Sequence, residues 1–366
     1  MVTHFTIILL LALLIQMYFW LCLFRPLALE PNGDEKNTHY SDKALRLIIC
    51  SNRRSDHWPT LIQMIKNQKE CRVNTLIIDN SQEALVRSYL EPLVGFDSSF
   101  EIEHFPDQTS GKKSALMHAF QLSEGQDILV TDDDCIPSSE YWARDMLSGL
   151  NHNSADVVLG YSPVERVDST LMALWTHFEA FFTALLYLSF SKRGWSYMGV
   201  GRNILYKKNV FKSHFLDKHL DLASGDDDLL VNALSKNHKV SYVLKPTTFV
   251  KTFPPKIWAS YFRQKRRHFS TGHRYRFNHI LLLSAFNLSH ILFYSALITL
   301  AVLGSLKTVA LVYVLRLLLV SPIAMKGIKK LKADIKFAEF LFLDFALCLF
   351  YLLFAFAVVF PKKDTW

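Results

Sequence analysis

Glycine and proline are scarce in this 366-residue chain, at 13 and 12 residues, while half of its residues are hydrophobic. That balance excludes collagen-like, Pro/Gly-rich and disordered classes. Cysteine is sparse too. The five residues Cys22, Cys50, Cys71, Cys135 and Cys348 are odd in number and lack paired spacing. Neither a disulfide framework nor a cysteine zinc site follows from them, and a reducing compartment is expected. One stretch lacks acid altogether. Between Lys251 and Arg276 stand eight Lys or Arg and no Asp or Glu, matching the whole formal net charge of +8.

Charge is also missing from Phe5–Phe24, twenty residues long. At about 1.5 Å per residue such a helix crosses a ~30 Å hydrocarbon core. No Lys or Arg precedes the run and Arg25 follows it directly, so it reads as an uncleaved anchor rather than a signal peptide. Three further apolar stretches, 282–304, 306–325 and 337–360, read as spans, and two of them carry an ionisable residue, Arg316 and Asp344. A charge at mid-membrane is costly unless it pairs or sits off-centre. Pairing of Arg316 with Asp344 between adjacent helices is the hypothesis, with snorkelling as its alternative. Thr170–Phe190 is apolar but broken by His177 and Glu179, and reads as a buried or interfacial helix.

Lys and Arg set membrane orientation. Arg25, Lys36, Lys43 and Arg46 follow the first span, the 251–276 stretch precedes the second, and Lys326, Lys329, Lys330, Lys332 and Lys336 separate the third from the fourth. All fall on one side of a four-span arrangement, with only Lys362 and Lys363 opposed. The expectation is a multi-pass cell-membrane protein whose middle section faces the cytoplasm. The aromatic residues Trp258, Tyr261, Phe262 and Phe269 among the 251–276 cations fit an interfacial amphipathic helix contacting membrane lipids. Because the excess charge lies there, no nucleic-acid partner is expected.

From residue 44 to 131, short apolar runs (Ala44–Cys50, Thr75–Ile78, Phe100–His104, Asp127–Thr131) alternate with helical patterns over 57–68, 82–91 and 111–122. Strand–helix alternation predicts a mostly parallel sheet covered by helices, with ligands beyond the carboxyl ends of the strands. Two of those ends are acidic: Asp79, and Asp132-Asp133-Asp134. Three adjacent carboxylates repel one another, and a hard cation relieves that repulsion while keeping room for substrate phosphates. A solvated acidic turn is the alternative. A second cluster, Gly225-Asp226-Asp227-Asp228, opens an apparent helix, where capping alone would also explain it. His118, His177 and His273 lack partners at ligand spacing and read as ordinary histidines.

These pieces, in this order, resemble a membrane-anchored member of glycosyltransferase family 2. Ile49-Cys50-Ser51-Asn52-Arg53 looks like the family's first nucleotide-contacting loop and Asp79-Asn80-Ser81 like its Asp-x-Ser element. Gly111-Lys112-Lys113-Ser114-Ala115-Leu116 resembles the helix before the metal site, and Asp132-x-Asp134 the metal-binding Asp-x-Asp signature. Gly225-Asp226-Asp227 is similar to the element whose second acid is the base, and Gln264-x-x-Arg267-His268 matches Gln-x-x-Arg-Trp except for its final His. Gly199-Val200-Gly201-Arg202-Asn203 resembles the acceptor-side Gly-x-Gly-x-Asn strand; its missing third glycine excludes a dinucleotide motif.

The resemblance implies an α/β GT-A fold with helices on both faces of the sheet, flanked by transmembrane helices. It divides the chain into an anchor (1–25), a linker (26–43), a cytoplasmic GT-A domain (44–250), a basic interfacial segment (251–278) and a C-terminal region with three spans (279–366). It implies inverting transfer from a nucleotide-sugar donor, UDP-linked by family frequency, to a lipid-linked or saccharide acceptor. Asp227 would be the base, with Asp226 as the register alternative, and Asp132 and Asp134 would bind Mg2+ or Mn2+. Asn52, Asp79, Lys112 and Asp132 would contact the nucleotide; Gln264, Arg267 and His268 would serve the acceptor and diphosphate. His268 in place of Trp argues against processivity. A polyprenyl-phosphate sugar synthase on the same fold, or a non-catalytic scaffold retaining it, are the competing readings.

Overall fold

The computed structural model describes residues 1–31, 43–106, 112–152, 154–208, 210 and 225–359. Lys36, Gly111, Lys362, Lys363 and most of the 26–43 linker lie outside the described residues. The alternation expected from periodicity is present: β1 (Ala44–Ser51), α2 (Trp58–Lys66), β2 (Arg72–Asp79), α3 (Leu85–Val94), β3 (Phe100–His104), α4 (Lys112–Leu122) and β4 (Ile128–Thr131). Helix α1 (Val2–Ala28) precedes them. After β4 come β5 (Cys135–Pro137), α5 (Trp142–His152), β6 (Val157–Leu159), α6 (Leu171–Lys192), β7 (Ile204–Tyr206), α7 (Asp228–Leu234), β8 (Val240–Tyr242), β9 (Val250–Thr252) and α8 (Trp258–Phe269). Helices α9 (Phe277–Val302), α10 (Leu306–Lys330) and α11 (Phe337–Val359) follow.

Seven strands form one sheet in the order β3-β2-β1-β4-β7-β6-β8, and β5 pairs with β9 in a small antiparallel sheet. Strands β3, β2, β1 and β4 are mutually parallel, and β7 runs against both β4 and β6. The order reverses between β1 and β4, which opens a crevice beyond their carboxyl ends. Ser51-Asn52-Arg53 leaves β1 there, and the Asp132–Asp134 run leaves β4 there.

Helices on both faces explain why β1 and β2 are buried almost throughout. Leu47, Ile49 and Ile77 pack with Trp58, Leu61, Val86 and Trp142 on one side. Ile48, Cys50, Leu76 and Ile78 belong on the other side to a core that also takes in α4, α6 and residues of α1 and α9–α11. The catalytic-type sheet and the apolar bundle therefore share one hydrophobic core. Segment 199–203, expected as strand, is instead a turn leading into β7, closed by the Asn203 amide donating to the Val200 carbonyl at 2.9 Å, while the Asn203 side chain donates to the Tyr161 and Thr248 carbonyls.

Among the described residues, five helices are long and apolar enough to cross a membrane: α1, α6, α9, α10 and Phe337–Phe354 of α11. Four of them coincide with the spans read from the sequence. The fifth, α6, is buried along most of its length, and its two polar interruptions are satisfied. His177 donates through Nδ1 to the Val164 carbonyl (2.6 Å) and accepts at Nε2 from the Asp334 amide (3.0 Å); Glu179 pairs with Lys265.

Arg316 and Asp344 pair as hypothesised. The guanidinium meets both carboxylate oxygens at 2.6 and 3.1 Å, and its Nε donates to Gln16 Oε1 at 2.6 Å. Tyr294 donates to the same carboxylate, His290 approaches the Asp344 carbonyl at 2.8 Å, and Gln16 donates to the Ser289 carbonyl. This wholly buried network ties α1, α9, α10 and α11 together. Removing one member strands the other charge, a loss of about 3–5 kcal/mol, whereas replacing both by apolar groups restores much of it. Arg316→Met should therefore melt well below the parent in detergent and Arg316→Met/Asp344→Leu should recover; a double variant no more stable than the single one would count against the pair.

Candidate active site

The carboxyl ends of β1 and β4, the start of α4, the turn before β7, the start of α7 and the inner face of α8 converge on one cavity of about 760 Å3. Asn52, Lys112, Asp132, Asp134, Asp226, Asp227, Gln264, Arg267 and His268 all line it. Among the site residues expected from the sequence, Asp79 alone does not. Its buried carboxylate is consumed locally, accepting from the Ser81 amide and hydroxyl at 2.9 and 2.5 Å and from the Arg87 amide at 2.8 Å. Asp79 shapes the turn into α3 and presents no free oxygen to the cavity.

The three acids after β4 point in different directions. Asp132 takes the Lys112 ammonium, Asp133 takes the Ser51 hydroxyl, and Asp134 faces Arg53 at 3.8 Å and accepts from the Cys135 thiol at 3.3 Å. Burial pushes Asp133 up to about 6, which Ser51 opposes and the neighbouring acids reinforce. Burial also works against Asp132, but Lys112, with Arg202 and Arg267 behind it, holds it below the usual carboxylate range. Asp132, Asp134 and Cys135 could each place one ligand atom within 4.8 Å of the others. Burial holds the Cys135 thiol well above its ordinary value, so it stays protonated, and the two carboxylates remain as the oxygen donors a hard cation requires.

The second acidic run is tethered differently. Asp227 caps α7, accepting from the Asp228 amide at 2.8 Å, and its other oxygen accepts from the Gly201 amide at 2.7 Å. A Cβ at Gly201 would meet the Asp227 Cβ at 3.1 Å and that oxygen at 3.2 Å, so a side chain there would press Asp227 back by a few tenths of an ångström. Burial first, then the adjacent Asp226 and Asp228 charges, push Asp227 up to about 7. Asp226 lies 3.5 Å from the Lys112 ammonium. Asp228 turns into the protein and accepts from Thr271 and, at 2.7 Å, from Tyr275. Burial raises its value; those bonds oppose the rise.

Lys112 thus stands between the two acidic runs. Burial disfavours its charge, yet Asp132 and Asp226 hold its value well above the ordinary one. Two more cations line the cavity with donors to spare: Arg202 Nε and Arg267 Nε are buried without a hydrogen-bond partner among the described residues. Unbonded guanidinium donors beside two carboxylates suit an anion brought in with a metal. His268, by contrast, is driven well below its usual value by burial and by Lys265 and Arg267, and is neutral. In the sequence Arg202 stands only inside a strand-like motif, and Glu179 only as an interruption of an apolar helix. No local pattern marks either as a cavity residue.

Gly225 leads into the second run at φ +105°, and a Cβ there would lie 2.5 Å from Leu229 Cδ1. Gly225→Ala must strain the backbone or shift α7, at about 1–3 kcal/mol. A lower melting temperature is the expected outcome; an unchanged one would show that the turn tolerates a side chain.

Residues 47–215 match the family described as Glycosyl transferase family 2. A search of curated proteins found no match. Among solved structures, the chain is similar to the mannosyltransferase PcManGT from Pyrobaculum calidifontis, described in complex with GDP-Man and Mn2+, at 15% identity and a TM-score of 0.63. That match covers 99% of this chain and 100% of that one. It is also similar to S. aureus TarS 1-349 in complex with UDP, at 11% identity and a TM-score of 0.41 over 70% of each chain. The fold, the matched family and the apolar helices agree: residues 47–215 form a glycosyltransferase family 2 domain on a GT-A fold, joined to helices long and apolar enough to cross a membrane.

Proposed function

We propose that the protein transfers a sugar, with inversion, from a nucleoside-diphosphate sugar to a hydroxyl acceptor at the cytoplasmic face of the cell membrane. One observation carries the reading. Both acidic runs, with Lys112 between them, line a single cavity that also holds Arg202 and Arg267. The complex of PcManGT with GDP-Man and Mn2+ supports a nucleotide-sugar donor and a divalent cation, and leaves UDP and GDP both in play. The cytoplasmic placement is supported by the side on which the Lys and Arg between spans fall.

In this reading Asp132 and Asp134 would hold Mg2+ or Mn2+, which would supply Lewis-acid charge beside the departing diphosphate. Lys112, Arg202 and Arg267 supply fixed positive charge to the same phosphates. Asn52, at the end of β1, borders the nucleotide. Asp227 accepts the acceptor's hydroxyl proton as that oxygen bonds to the anomeric carbon and the bond from that carbon to the diphosphate oxygen breaks. Asp227 fits the role better than Asp226, whose charge Lys112 already engages, and a value near 7 suits a base working at neutral pH. Gln264 and His268 border the acceptor, His268 as a neutral ring that can donate or accept.

Nucleotide release from a panel of UDP- and GDP-sugars, in detergent with Mn2+ or Mg2+, tests the donor side. Release, or nucleotide binding if release awaits an acceptor, should disappear with EDTA and in Asp134→Asn; metal-independent behaviour in both would sink the metal assignment.

For the base, kcat/KM should fall as pH drops below about 7, because Asp227 acts only when ionised. Asp227→Asn should lose about 10²–10⁴-fold in rate. A variant that retains the rate and the acid limb would return the role to Asp226.

A further inference from the structure

The cavity does not end at the acids. It continues between α6, α9 and α11, where Phe182, Leu186, Leu283, Leu347, Phe350 and Tyr351 line it. All six lie on helices apolar and long enough to span a membrane. A water-soluble acceptor has no use for such a wall, and an apolar cavity open to water carries a hydration cost that a hydrocarbon chain removes.

Two observations say how an occupant would enter and what it would present. Ser284 lines the cavity yet is exposed on α9, between the outward-facing Leu281 and Leu288, which are 57% and 54% exposed. The arm therefore reaches the flank of the bundle that lipid would cover. Between the arm and the acids, the polar wall is made of Glu179, Thr183, Lys265 and Asn287. Its charges are spent on each other: Lys265 pairs with Glu179, which also accepts from Thr183 at 3.0 Å. Asn287 makes no hydrogen bond among the described residues, although an unsatisfied carboxamide on a membrane-type helix is unfavourable.

We infer that the acceptor is a membrane lipid with a neutral, hydroxyl-bearing head, its hydrocarbon chain in the arm between α6, α9 and α11 and its head beside Asn287. This rests on the transfer reading above and narrows its acceptor. An anionic head would meet the Glu179 carboxylate, whereas a hydroxyl head can use Asn287 and Thr183 without an ion to balance.

The probe is a diacylglycerol with a diazirine in one acyl chain, photolysed with the full-length protein in nanodiscs, and the labelled peptides are mapped. Label is expected on cavity-lining Phe182, Leu283 and Leu347. It should be lost from Phe182 and Leu347 in Leu283→Trp, which fills the arm, and kept in Leu288→Trp on the outer face. Should Leu283→Trp not fold, excess unlabelled dioleoylglycerol must abolish the arm label in the unmodified protein. Label confined to outward residues such as Leu281 and Leu288, or arm label indifferent to competitor, overturns the inference. Competition by farnesyl phosphate but not by dioleoylglycerol overturns the neutral head. Mn2+-dependent UDP or GDP binding, measured in the same nanodiscs, separates the two claims. Nucleotide bound without arm label defeats this inference alone, and arm label without nucleotide defeats the donor reading alone.

Discussion

Six aspartate side chains gather around one cavity, and the Lys112 ammonium is what lets the two runs approach. Carboxylates a few ångströms apart in a partly dry cleft repel by several kcal/mol, so a buried cation between them is a condition of the arrangement. The scaffold absorbs two of the six. Asp133 is bonded to Ser51 at the end of β1, and Asp228 to Thr271 and Tyr275 beyond α8. Asp132 and Asp134 are left facing one wall of the cavity, Asp226 and Asp227 another. Residual repulsion is a reservoir that a divalent cation with a diphosphate could draw on, and it adds to the burial that raises Asp227 toward neutrality.

The second constraint is the shared core. Because α6 packs both on the sheet and among the apolar helices, the acid cluster and the bundle cannot shift independently. Helix α8 is pinned the same way: Tyr261 accepts from Trp175 of α6 at 2.7 Å, and Phe262 and Phe269 stack on Phe354 of α11. Its Gln264, Arg267 and His268 are thereby fixed over the cavity. Glu30, just after α1, pairs with Lys192 and accepts from Tyr242, fastening the first helix to the sheet side. The acid-lined cavity and the apolar bundle thus meet at a fixed junction.

Much of this was legible in the sequence because it rests on local rules. Alternating apolar runs gave β1 to β4, and uninterrupted apolar stretches gave four of the helices. Acids at a strand end and at a helix start marked the two runs. What stayed hidden depends on contacts far apart in the chain. Asp79 reads as a ligand by position, yet local amides and Ser81 consume both its oxygens. Arg202 sits in a turn, and nothing nearby in sequence announces that it faces acids from β4 and α7. Segment 199–203 has strand-like neighbours but is a turn, closed by the Asn203 amide on the Val200 carbonyl. Nor could periodicity show that α6, apolar on most sides, walls a cavity with Glu179 while packing elsewhere in the core.

The proposed transfer requires that Asp132 and Asp134, beside Lys112, hold a metal–diphosphate. Electron–nuclear hyperfine spectroscopy of Mn2+ with UDP or GDP in the solubilised protein addresses it directly. The account predicts phosphorus couplings from the diphosphate on protein-bound Mn2+, abolished in both Asp132→Asn and Asp134→Asn. Mn2+ that stays bound with its phosphorus couplings in both variants would place the ion elsewhere and contradict it.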